Sequence, residues 1–345
     1  MFSGMLMIML GATFLGTFAF PSKYVKNYEW ENTWGSFFFF GMLVVPVLLS
    51  TLIIKGLWHT YEDVPMTVNA GVVALGFLWG CGFCLWGTGL SMVGLSLGYT
   101  LTMGTMALVG SILPFFMGNA DKALTPGGML VIIGILVCIA GVVINGMAGM
   151  KREKSDTEGA GKSSSGKGFM LKGLIICVLA GVLSSGCNVA FHLGSNVGNI
   201  SQISVEKYGN AAGLAGLSVW NLIFLGGLIS SFGFSVILLF KNSTWKGFLV
   251  KGSGKNLGLT AIMALAHFAC LFFYGVGSWK LGVLGTSVGF AIFQSGSLLV
   301  GNGFGFFTGE WKNAPKISKN YLFAGLTVLI AGIVIVSVGN AMISG

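Results

Sequence analysis

Three histidines, six cysteines and ten acidic residues are the stock from which this chain of 345 residues could build acid-base, metal or nucleophilic chemistry. His267 is the most central, lying in the middle of a long apolar run. A histidine there is suited to carrying a proton, because its unperturbed titration lies near neutrality. Asn188 and His192 are four residues apart in another run, one helical turn, and so share a face. At the end of its run, His192 reads either as a binding group or as a side chain meeting water. Asn221 and Gln294 place amides in two further runs, where they either bind a ligand or join helices by hydrogen bonds. Cys81 and Cys84 spell C-x-x-C, but no second pair or neighbouring histidine accompanies them, so they read as packing residues. No metal or cofactor is expected. Gly94-x-Ser96-x-Gly98 and Gly285-x-Ser287-x-Gly289 match the nucleophile elbow of hydrolases. That elbow requires a strand-to-helix turn and a histidine with an acidic partner. Each copy here opens a long apolar helix, so packing of small residues is the favoured reading and catalysis is not expected.

The elements that must position these residues follow from composition. The chain is 54% hydrophobic and 8% charged, where soluble domains carry about 25% charged residues. With mean hydropathy at +0.86, an ordinary soluble domain is excluded. The 56 glycines suit a polytopic all-α membrane protein whose helices approach closely. A membrane barrel needs short alternating segments, and these runs do not alternate. Ten apolar runs are predicted as spans: 4–20, 34–54, 69–90, 94–117, 128–149, 169–191, 213–240, 257–277, 281–307 and 321–343. No aspartate or glutamate falls inside any of them. Residues 151–168 form a charged Gly/Ser linker between a first half, 1–150, and a second half, 169–345.

The net charge is +9, but the basic residues are dispersed through loops. A lipid bilayer explains them, and no nucleic-acid partner is expected. The loops after spans 1, 3, 5, 7 and 9, together with Lys172 at the start of span 6, hold 15 of the 19 Lys and Arg residues. Basic loops stay on the cytoplasmic side, which places the linker in the cytoplasm and both termini outside.

The halves match at an offset of 191 residues. Gly94-x-Ser96-x-Gly98-Tyr99 answers to Gly285-x-Ser287-x-Gly289-Phe290, and Leu108-Val109-Gly110 to Leu299-Val300-Gly301. Gly134, Val137, Ile139, Ala140 and Gly141 answer to Gly325, Val328, Ile330, Ala331 and Gly332. The expected architecture is therefore ten transmembrane helices in two five-helix repeats. An odd number of spans inverts the second copy, as in many secondary transporters.

Several blocks carry a family likeness: Pro21-Ser-Lys23-Tyr-Val25-Lys26, Tyr28-Glu-Trp30-Glu31 with Trp34, Trp79-Gly80-x-Gly82, and Gly309-Glu310-Trp311-Lys-Asn313-Ala314. Along essentially its whole length the chain resembles the L-rhamnose-proton symporter family of the drug/metabolite transporter superfamily. The resemblance implies uptake of a sugar with a proton by a multi-pass protein of the cell inner membrane. Phe83, Cys84 and Leu85, and His267 and Cys270, stand where the family pattern has amides and an aromatic.

Sugar sites combine an aromatic platform with amide or imidazole partners for hydroxyls. Trp79, Trp86, Tyr99 and Tyr274 are the expected platform residues, and Asn188, His192, Asn221, His267 and Gln294 the expected polar partners. His267, then His192, then Glu310 are the candidates for the coupling proton. Trp30, Trp34 and Trp311 read as interface anchors, and Glu31 and Glu310 as partners of lysines such as Lys26 and Lys312. An exporter of amphipathic metabolites or drugs, a non-transporting sensor, and an enzyme using Ser96 or Ser287 are the competing functions. The charge count makes a direct prediction. In a cysteine-free variant, a cysteine placed in residues 151–168 resists an impermeant thiol reagent in intact cells, while one near Gly345 is labelled; the opposite pattern reverses the topology.

Overall fold

The computed structural model describes residues 2–157, 167–309 and 311–344. Among them there is no strand, and ten helices are long and apolar enough to cross a membrane. They are α1 (Phe2–Tyr24), α2 (Trp30–Ile53), α3 (Met66–Val93), α4 (Leu97–Met117), α5 (Pro126–Arg152), α6 (Phe169–Val197), α7 (Gly216–Lys241), α8 (Ser253–Leu281), α9 (Gly285–Phe307) and α10 (Lys316–Ile343). Each expected run has its helix. The helix containing α5 continues into the charged tract as far as Thr157; residues 158–166 of the linker, and Glu310, lie outside the described residues.

One boundary differs in a way that matters. Glu29 and Asn32 form a reciprocal cap, with the Glu29 N–H donating to Asn32 Oδ1 at 3.2 Å, so α2 starts at Trp30. Glu31 thereby enters the first turn of a span and is only 4% exposed. It does not pair with Lys26 as expected: its Oε1 accepts hydrogen bonds from Asn242 Nδ2 at 3.0 Å and Thr244 Oγ1 at 2.7 Å. Neutral donors on a neighbouring connection satisfy a buried carboxylate without burying a second ion.

The chain packs into two compact units, each drawn from both halves of the sequence. One comprises Phe2–Cys81 and Gly186–Lys280 and holds all three histidines; it is termed the histidine unit. The other comprises Gly82–Ser185 and Leu281–Gly345 and is termed the seam unit.

In the histidine unit small residues let α3, α6 and α7 touch backbone to backbone. A Cβ at Gly76 would lie 3.0 Å from the Ile223 Cα, one at Gly226 would lie 2.6 Å from the Phe77 nitrogen, and one at Gly186 would lie 2.8 Å from the Leu75 carbonyl. Ser231 Oγ donates across to the Gly80 carbonyl at 3.3 Å. Wide π-type turns interrupt α2 at Phe40–Val44, α6 at Leu193–Val197 and α7 at Leu228–Phe232. Those in α2 and α7 are 188 residues apart. Such turns locally re-aim a helix and recur at functional sites.

The connections of this unit are stapled in pairs. At one end Asn256 bonds both the N–H and the C=O of Lys26, at 3.3 and 2.8 Å, and the Tyr28 hydroxyl meets Ser253 Oγ at 2.6 Å. At the other, Asn210 does the same to Lys55, at 2.8 Å both ways. There Asp63 accepts from the Lys207 ammonium and, at 2.5 Å, from the Tyr208 hydroxyl. These donors hold the Asp63 carboxyl below the usual carboxylate range, and donation to Asp63 pushes the Tyr208 hydroxyl up to about 12. The latch is thus intact at neutral pH and weakens as the pH falls through the lowered Asp63 pKa. Gly56, at φ +63°, lies so close to the Tyr208 ring that no side chain fits.

The seam unit is organised by α5 lying antiparallel to α10. A Cβ at Gly134 would sit 2.6 Å from the Val336 nitrogen, and one at Gly141 2.9 Å from the Leu329 nitrogen. Adding 191 to one partner and subtracting it from the other gives two further contacts that are also present. A Cβ at Gly325 would lie 2.9 Å from the Asn145 nitrogen, and one at Gly332 2.7 Å from the Cys138 nitrogen. The approach of Gly127 to the Gly339 carbonyl has its counterpart in Ser318, whose Oγ donates to the Ala148 carbonyl at 2.5 Å. Trp311 is a correction: it is buried among Ala148, Ala314 and Leu322, with the Arg152 guanidinium 4.7 Å from its ring centroid. Protein atoms and a cation-π contact, instead of lipid headgroups, hold the ring.

The reciprocal seam predicts that Gly134→Val and Gly325→Val each destabilise the protein by about 1–3 kcal/mol through overpacking, seen as similar drops in thermal unfolding in detergent. Gly258→Val, at a position with open space around it, serves as the neutral control. A neutral Gly134→Val would refute the tight seam.

Candidate substrate and proton site

The site is built on one stripe of α8. His267, Leu271, Tyr274 and Ser278 follow the spacing of a single helical face, and all four are buried in the histidine unit. At the His267 end the imidazole is walled by rings. Trp79 of α3 stacks on it at 6.0 Å between centroids and 6° between planes, and Phe18, Phe37 and Phe224 stand at 5.3, 5.4 and 5.9 Å. Its Nδ1 is buried and has no hydrogen-bond partner.

At the Tyr274 end, the phenol donates a hydrogen bond to Asn188 Oδ1 of α6. Phe191 and Trp220 pack on Tyr274 at 5.8 and 6.0 Å and stack on each other at 4.6 Å. Phe224 bridges the two ends, 6.3 Å from Trp220 and 6.2 Å from Trp79. Asn221, the next residue on α7, donates through Nδ2 to the Tyr61 hydroxyl at 3.3 Å, and Tyr61 donates to the Ser218 carbonyl at 2.8 Å. Trp220 Nε1 and Asn221 Oδ1 are buried without partners. An unsatisfied buried group costs about 1–3 kcal/mol, so these three atoms are where a hydroxyl-bearing ligand or water gains most.

His192 is buried, not at water: its Nδ1 lies 3.2 Å from Asn196 Nδ2. The π-type turn that begins at Leu193 extends α6 to Val197, past the expected end at residue 191, and so encloses the imidazole. The structure thus joins His267 with Trp79 and Asn188 with Tyr274, and links the two pairs through rings. Trp86 and Tyr99 also pair, at 5.9 Å, but in the seam unit, where Gln294 is buried on α9. Sequence reasoning missed Phe18, Phe37, Phe191, Trp220, Phe224 and Tyr61. Trp220 and Phe224 carried a signal, one turn apart and flanking Asn221. Nothing in the run Phe37 to Phe40 singles out Phe37.

Chemically, the cage suits an ion more than its apolar lining suggests. A protonated imidazole under the face of Trp79 gains cation-π attraction that offsets part of its desolvation. Aromatic faces beside amides also suit a sugar, whose C–H face packs on rings while its hydroxyls find polar atoms.

Ten apolar helices with buried, incompletely satisfied polar groups mark a polytopic membrane protein. A family model described as L-rhamnose-proton symport protein (RhaT) matches residues 1–342, and the chain belongs to that family. Among its relatives are the L-rhamnose-proton symporters of Pectobacterium atrosepticum and Citrobacter koseri, each 27% identical, and of Escherichia coli, 26% identical. Each alignment covers 96% of both chains. A protein crystal structure matches with TM-score 0.59 and 15% identity over 99% of each chain, a likeness of fold alone.

Removing the donor to Asn188 tests the core of the site. Tyr274→Phe should lower unfolding stability by about 1–3 kcal/mol; an unchanged melting temperature in detergent would show that this bond does not hold α6 against α8.

Proposed function

We propose that the chain takes up L-rhamnose or a closely similar sugar together with a proton, across the cell inner membrane, by alternating access. Family membership supports the activity and the relatives' names support the sugar. The observation that carries the proton is His267, buried at the middle of α8 with a free Nδ1 inside four aromatic rings. His192 is second in line for this role and Glu310 third. Asn188, His192 and Asn221 bind hydroxyls, with Trp79 and Tyr274 as the aromatic surfaces. In the seam unit Trp86, Tyr99 and Gln294 are candidates to be tested independently.

Residues 1–150 and 169–345 form the two inverted repeats in this reading. The reciprocal α5–α10 contacts at the 191-residue offset support it, because antiparallel partners related by a two-fold axis exchange equivalent residues. The excess of Lys and Arg in alternate loops supports a cytoplasmic linker and external termini.

In proteoliposomes, His267→Gln should abolish accumulation driven by a pH gradient yet preserve downhill exchange of sugar. Accumulation by the variant, or wild-type uptake that follows sodium and ignores pH, would overturn the coupling. Asn188→Ala and Asn221→Ala should each weaken sugar binding roughly 5-fold to 150-fold. Unchanged affinity in both would place the sugar elsewhere.

A further inference from the structure

The histidine unit carries a groove that opens on the far side of Tyr61, the hydrogen-bond partner of Asn221. The α2–α3 connection, α3 and α7 bound an open groove of 1360 Å³. Along α3 it is lined by Met66, Ala70, Ala74 and Leu78, one stripe at helical spacing, and opposite them by Leu225 and Ile229 of α7. Leu78, Leu225 and Ile229 are 40%, 44% and 55% exposed; on helices that cross a bilayer this face meets lipid. Tyr61 to Pro65 of its lining belong to the connection, outside the spans, and among the described residues the charged ones lining the groove are Glu62 and Asp63.

Its dimensions select the occupant. From Met66 to Leu78 a helix rises about 18 Å, roughly half of the ~30 Å hydrocarbon core. One polar end at the membrane surface and an apolar floor reaching mid-bilayer match an amphiphile of a single leaflet. The polar end holds two carboxylates, and its donors are already engaged: the Tyr61 hydroxyl donates to the Ser218 carbonyl and the Asn69 amide to the Tyr61 carbonyl. Asp63 is engaged by Lys207 and Tyr208, whereas the Glu62 side chain is 73% exposed and meets only His59 Nδ1, at 2.9 Å. A carboxylate can accept but not donate, and it repels a headgroup of net negative charge.

We propose that this groove binds a membrane phospholipid with a primary-ammonium headgroup, its acyl chain lying along α3 and α7 and its ammonium on Glu62. A phosphoglycerol headgroup offers hydroxyl donors but brings a net negative charge to the Glu62 carboxylate, Asp63 being already paired with Lys207. It should bind less well.

The test is native mass spectrometry of the full-length protein in mild detergent, titrated separately with dioleoyl phosphatidylethanolamine and dioleoyl phosphatidylglycerol. Wild type should retain the ethanolamine lipid at least several-fold better. Ala74→Trp, at an exposed position on the groove floor, should lower retention of both lipids several-fold. Glu62→Gln, on an exposed side chain and so compatible with folding, should keep lipid bound but erase the headgroup preference. Equal retention of the two lipids by wild type, or wild-type retention by Ala74→Trp, would overturn the proposal. So would a protein dimer that forms without lipid and is disrupted by Ala74→Trp.

Discussion

Inside a membrane-spanning bundle a polar atom that loses water must find its partner in the protein, and the structure turns on where this requirement is met and where it is left open. Backbone groups meet it within the helices. Glu31 meets it with Asn242 and Thr244, and the connections meet it through Asn256 on Lys26 and Asn210 on Lys55. The exceptions in the histidine unit include His267 Nδ1, Trp220 Nε1 and Asn221 Oδ1, which lie along one ladder of aromatic rings and its flank. In the proposed function these are the atoms that a hydroxyl-bearing sugar and a proton would satisfy.

Close helix contact is the second constraint. Lipid tails provide no hydrophobic drive for helices to associate, so backbones come together where side chains are small. In the histidine unit this brings Gly76, Gly80, Gly186 and Gly226 into play and holds Trp79 where its face covers His267. In the seam unit it produces contacts that repeat under exchange of the two sequence halves. The same glycines that made the internal match visible in the sequence are the ones that touch, so one physical need accounts for both observations.

The ten helices were legible because hydropathy and length report directly on the bilayer. The start of α2 was not: the Glu29-Asn32 cap outweighs the polarity of Trp30 to Thr33, and that cap drew Glu31 into a span. Within the site, the polar residues were legible because an amide or imidazole in an apolar run stands out. Their aromatic neighbours were not, since 28 phenylalanines, all but Phe248 within the ten helices, give no contrast against which Phe18, Phe37 or Phe224 would show. Trp311 misled for the complementary reason, as a tryptophan at a helix end has the same sequence signature whether it anchors to lipid or folds under an arginine.

In the proposed function the caged imidazole of His267 takes up a proton when sugar binds. Proton uptake is followed by adding L-rhamnose to concentrated protein in weakly buffered detergent solution and reading pH with an indicator. Wild type should take up protons in proportion to the sugar bound. His267→Gln should bind sugar with little proton uptake, while His192→Gln should keep most of it. Proton uptake of wild-type size in the His267 variant would show that another group carries the coupling proton.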